Sequence, residues 1–123
     1  MNLNDLQKGL RAAVKSALPE IEVFDSAPSN IAMPYITFGE INQIRNDTKD
    51  IRYAMYDVVL HIWTTGPGRV QAQEILNTLR LALDNTRLNL QSSTPAVYFV
   101  SNIVLSDPDG VTQHGVLRLE IRE

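Results

Sequence analysis

Residues 105–123 read LSDPDGVTQHGVLRLEIRE, a run of turn-forming and ligand-type residues leading straight into an alternating apolar segment. Two aspartates, a glycine and a histidine could be a metal or catalytic loop, or they could be a hairpin turn with its second strand. A calcium loop of the EF-hand kind needs acids at its first, third and fifth positions, a glycine at the sixth and a glutamate at the twelfth. Counted from Asp107, the fifth position is Val111, the glycine comes two places early as Gly110, and the twelfth position is the cation Arg118. Turn chemistry fits better. Pro108 presets φ, Gly110 supplies a left-handed residue, and Leu117, Leu119 and Ile121 then alternate with Arg118, Glu120 and Arg122 as in a half-buried strand. The segment reads as a turn joining two antiparallel strands.

Working outward, Val97–Leu105 is the other strand of that hairpin, with Tyr98, Val100 and Val104 on one face and Val97, Phe99, Ile103 and Leu105 on the other. A similar pair lies upstream. Tyr35–Ile41 and Tyr53–Trp63 are strands, joined through the polar, charged stretch Asn42–Arg52, which reads as an exposed hairpin tip. Each hairpin is preceded by an amphipathic helix. Leu3, Leu6, Leu10, Ala13, Val14, Ala17 and Leu18 share one face of the first, which Asn2 caps and Pro19 ends. Ala72, Ile75, Leu76, Leu79, Ala82 and Leu83 form the stripe of the second, over about Arg69–Asp84. Ile21 and Val23, and Leu88 and Leu90, mark short possible extra segments. Two single-stripe helices must bury those stripes. The expected fold is α+β: one domain over residues 1–123, two helices on one face of a mainly antiparallel four-stranded sheet.

That arrangement leaves the second face of the sheet to be accounted for, because Val59 and Trp63 share it with Asp57 and His61, and Tyr98 and Val100 add apolar surface. Either a partner covers this face, or the loops Ser26–Pro34 and Asn85–Pro95 do.

Composition excludes several classes of function. With 123 residues, 44% hydrophobic and 20% charged, the chain has the make-up of an ordinary soluble domain, and it carries no cysteine for disulfides or thiolate chemistry. The N-terminus lacks the apolar core of a secretory signal, and no run approaches the roughly eighteen apolar residues of a membrane span. The net charge is −3 and the basic residues are scattered, so sequence-specific nucleic-acid binding is not expected. Two histidines, His61 and His114, do not make a structural zinc site by themselves. No nucleophile elbow, phosphate loop or dinucleotide fingerprint is present, and no carboxylate pair stands out as an acid–base dyad. No catalytic, metal or cofactor residue is expected.

Several segments, in order, resemble the tail-terminator or tail-completion family of tailed phages, prophages and gene-transfer particles. They are Leu18-Pro19, Pro34-Tyr35-Ile36-Thr37-Phe38-Gly39-Glu40, Leu60-His61-Ile62-Trp63, the helix from Ala72 to Leu83 after Gly68, Asp107-Pro108-Asp109-Gly110, and His114-Gly115-Val116-Leu117-Arg118. The resemblance implies a virion structural protein without catalytic residues or cofactor, assembled in the host cytoplasm and seated at the head–tail junction. Its expected partners are itself, in a ring of six, the tail-tube protein whose polymerisation it stops, and the head-completion or neck protein. The genome would pass through the ring, and no membrane is involved. The expected interface residues are Arg45, Asp47, Lys49 and Arg52 at the charged tip, and Val59, Trp63, Tyr98 and Val100 on the open face. A neck protein of the same fold and a small α+β enzyme with a site between subunits are the alternatives.

Overall fold

A computed structural model describes residues 1–45, 47–51 and 53–123 of the chain. Helix α1 spans Leu3–Ala17, and its Asn2 cap accepts a hydrogen bond from the Asp5 amide at 2.8 Å. Strand β1 (Glu22–Phe24) follows, then β2 (Tyr35–Arg45), β3 (Ala54–Thr65), helix α2 (Val70–Leu83), β4 (Thr86–Arg87), β5 (Ala96–Ser106) and β6 (Thr112–Arg122).

The sheet has six strands in the order β1-β2-β3-β6-β5-β4, where the sequence pattern gives four. It is also mixed, since β1 runs parallel to β2 while the other pairs are antiparallel. The two added strands are three and two residues long. β1 takes in Val23 of the short segment marked in the sequence, and β4 lies just ahead of Leu88; at this length, pairing with distant neighbours is what makes them strands. The α+β class and the packing of both helices on one face stand.

The core lies between the helices and that face. Leu6, Leu10 and Val14 of α1 and Ile75, Leu76, Leu79 and Leu83 of α2 meet Ile36, Tyr56, Val58, Leu60, Ile62, Val97, Leu117, Leu119 and Ile121 in one buried cluster. Leu88, just after β4, is buried in the same cluster, so the segment from Asn85 to Pro95 covers the helix side and not the open face.

Two bulges shape the sheet. In β2 the register shifts between Phe38 and Ile41, which sets Gly39 and Glu40 against Val59. In β5 it shifts between Phe99 and Ser101. Both fall on one transverse row, because Val59 pairs with Arg118 and Arg118 with Ser101. Bulges bend strands and increase twist, so two in one row bend the sheet along a single line. The β5 bulge also changes which side chains share a face. Ile103 and Leu105 pair with Val116 and His114 and join Tyr98 on the open face, while Val104 turns toward the helices with Val97 and Phe99. Simple alternation along β5 gives the opposite grouping.

The open sheet face as candidate functional site

The face away from the helices presents exposed apolar, aromatic and charged groups side by side. Val100, Ile103 and Leu105 are each about half exposed on β5. Beside them, between the two bulges, lies a depression of about 160 Å³ lined by Glu40, Asn42, Asp57, Val59, Val100 and Arg118. Its charges are of both signs.

Of the residues expected at an interface, Val59 and Val100 meet in this depression; Val59 is 5% exposed and forms its floor, and Val100 is 55% exposed at its rim. Tyr98 lies one row further, opposite Glu120, with the Arg122 guanidinium 5.3 Å from its ring centre. Trp63 lies at the other end of the face and donates its indole N–H to Thr37 Oγ1 at 3.1 Å. These four residues share a surface. Arg45 and Asp47 are elsewhere, at the hairpin tip, joined by a 2.8 Å ion pair with Arg45 well exposed. Lys49 is exposed in the turn beyond, and Arg52 lies outside the described residues. β2 continues to Arg45, so the tip is shorter than Asn42–Arg52 and the paired arm longer.

A cluster that spacing along the chain does not point to lies beside Trp63. Its ring stacks on His114 with centroids 4.0 Å apart and planes 8° from parallel. His114 Nε2 in turn lies 2.6 Å from His61 Nδ1. At that separation one proton is shared, one ring donating and the other accepting. Burial pushes both imidazoles below the ordinary histidine value. For His61, Glu40 opposes this and Arg118 adds to it; for His114, His61 adds to it and Asp107 opposes it. The His61 ring lies over Gly39, where a Cβ would come within 2.6 Å of Nε2. The pairing of Trp63 with His114 across β3 and β6 is the signal that would have revealed the cluster, and it becomes visible only when the register is known.

The loop 107–112 has the geometry of a turn. The Gly110 amide donates to the Asp107 carbonyl at 3.0 Å, and Gly110 has φ +74°. One Asp109 oxygen accepts from the amides of Val111 and Thr112, and the other accepts from the Thr112 hydroxyl at 2.7 Å. These bonds hold the Asp109 carboxyl below its usual value and direct both oxygens into the turn itself.

The chain matches the family model of the tail completion protein gp17 over residues 6–123. It is 29% identical over 119 residues to the tail completion protein gp17 of Bacillus phage SPP1, covering 93% of this chain and 88% of that protein. The structure of that phage's gp17 superposes with a TM-score of 0.66 at 24% identity, covering 99% of this chain and 92% of the other. A chain from the virion of a native gene transfer agent particle superposes with a TM-score of 0.76 at 20% identity, covering 94% and 95%. Those two likenesses show a shared fold. With the family model spanning nearly its whole length, the chain belongs to the gp17 tail completion family, whose members are virion structural proteins and not enzymes.

Proposed function

We propose that this protein completes the phage tail by forming a ring on the end of the tail tube, where it stops tube polymerisation and offers the surface that joins the head. The observation that carries this reading is the family match over residues 6–123. The count of six copies and the neighbours, the tube protein on one side and a neck protein on the other, are what the sequence resemblance to tail terminators implies. The open sheet face supports it further, since a half-apolar surface carrying charges of both signs suits protein contact better than the phosphate backbone of nucleic acid. In this reading Val59, Trp63, Tyr98 and Val100 belong to contacts within the virion, and Arg45, Asp47, Lys49 and Arg52 add charged contacts at the rim.

Deleting the gene from its parent phage or prophage tests the proposal. The expected outcome is filled heads without joined tails, together with tubes of abnormal length, both restored by the gene in trans. Infectious virions with tails of normal length would remove it.

A further inference from the structure

The sheet has two open edges, and they match. β1 covers β2 only at Tyr35–Thr37, and β4 covers β5 only at Ala96 and Val97. In an antiparallel ladder the backbone groups of alternate residues point to opposite sides. The Asp107 amide bonds the Thr112 carbonyl, and the Phe99 amide turns away from β6 to Asp84. Carried through the bulge, that alternation leaves the N–H and C=O groups of Asn102, Val104 and Ser106 facing outward on β5. On the other edge the Glu123 amide bonds the Ala54 carbonyl, so Ala54 turns its backbone groups toward β6 and away from its partner Arg45. By the same alternation, Ile41, Gln43 and Arg45 face outward on β2. Among the described residues no strand other than β1, at Tyr35–Thr37, and β3 pairs with β2. Each edge thus offers three residues' worth of unpaired donors and acceptors.

Beyond the bulge at Val100, the β5 edge lacks the usual guards of an exposed strand. Ala96–Ser106 contains no charged residue and no proline inside the strand, two of the devices by which solitary proteins protect long edges. A groove of about 350 Å³ between α2 and Asn102–Val104 runs beside it.

We infer that the β5 edge of one copy takes the β2 edge of the next copy as an added strand, so that the sheets of neighbouring subunits run on into one another. Three geometrical features fit this occupant. First, β2 and β5 run in opposite directions within one sheet, since each step from β2 through β3 and β6 to β5 is antiparallel. A neighbour in the same orientation therefore adds its β2 antiparallel to β5. Second, the two patches lie on opposite sides of the sheet, so the contact is head-to-tail, the kind that closes into rings. Third, the edges are staggered. Gln43 is level with Val97, through Tyr56 and Ile121, and Val104 is seven residues further along β5, of which the bulge absorbs one. Six steps of about 3.3 Å make a stagger of roughly 20 Å, against roughly 19 Å for the width of four strands. The strands would tilt by about 45°, at the steep end of the range found in closed barrels. The inference deepens the ring reading by naming the surfaces that meet, and rests on it for closure.

The chain has no cysteine, which makes the test direct. Gln43→Cys and Val104→Cys are made separately, given different tags, mixed, assembled with or without tail tubes, and oxidised. The expected product is a disulfide between the two tagged chains, with neither variant cross-linking to itself, and a ladder of covalent multimers from the double variant. Pairing Gln43→Cys with Asn102→Cys or Ser106→Cys covers a slip of one rung. Rings visible by microscopy without any of these cross-links would overturn the edge pairing and leave the ring reading intact. Self-linking of Val104→Cys would overturn it in favour of a symmetric dimer, and a link to the tube protein would make the tube the occupant. Absence of assembly under all conditions would remove both readings.

Discussion

His61 and His114 hold a single proton between nitrogens 2.6 Å apart, an arrangement that requires one of the two facing nitrogens to stay unprotonated and that double protonation breaks. In the unfolded chain each titrates near 6.5, and in the fold burial holds both values lower. As pH falls, the unfolded chain therefore takes up protons first, so stability is full above about 6.5 and is lost below it. Melting temperature should drop between pH 7 and 5, and the drop should shrink in His114→Gln; equal slopes in the two proteins would argue against the pair as its source. The lowered Asp109 carboxyl works at more acid pH, its contribution being present above 3.8 and lost below. Gly39 belongs to the same cluster. A methyl group there must displace the His61 ring and presses within 3.2 Å of the Val59 carbonyl, so Gly39→Ala should cost about 1–3 kcal/mol in denaturant unfolding. Gly110→Val, at φ +74°, should cost about 1–2 kcal/mol without displacing any neighbour.

The elements were legible where each residue's environment follows from its immediate neighbours in sequence. Both helices show their stripes because one side of each is fully buried, and the 107–112 turn shows its proline, aspartate and glycine because local bonds alone determine its shape. β5 was only half legible. Its bulge inserts one residue, and every side chain after Val100 changes face, which no local pattern announces because Val, Ile and Leu occupy both sides. The outer end of the β2–β3 arm reads as part of the hairpin tip for the opposite reason: where both faces meet solvent, as at Asn42–Arg45, apolar alternation fades although backbone pairing persists to Arg45 and Ala54. Since this arm is held by its ladder and not by the Arg45–Asp47 pair, reversing Arg45 and Lys49 to glutamate together should leave the circular dichroism spectrum and melting temperature nearly unchanged. Exposed pairs contribute about 0–1 kcal/mol. The same double reversal should reduce the fraction of tails joined to heads in complementation of the deleted phage, with Lys49→Ala alone having a mild effect. Full complementation by the double variant would take the tip out of the docking surface.

At the scale of the whole molecule, the missing strands and the histidine cluster have a common cause. β1 and β4 exist because β2 and β5 present edges to them, and His61 meets His114 because β3 and β6 pair in one register. Long-range pairing specifies these features, and it leaves little trace in two- or three-residue segments. The core is different, being one cluster drawn from both helices and the sheet. Leu6, Leu10 and Val14 of α1 have no exposed surface, and burying three such side chains contributes about 4.5–9 kcal/mol. The total stability of a domain is about 5–15 kcal/mol, so α1 is not an accessory that the sheet can lose. Removing residues 1–18 should therefore abolish the cooperative transition, leaving a chain that binds hydrophobic dyes and lacks the near-ultraviolet signal of Trp63. In the intact protein, thermal unfolding followed at Trp63, on the open face, should coincide with unfolding followed by helix ellipticity, on the other side of the sheet. A truncated chain with a sharp melt, or two separated transitions in the intact one, would show that the helical layer and the sheet are independent units, and a single domain over residues 1–123 would have to be given up.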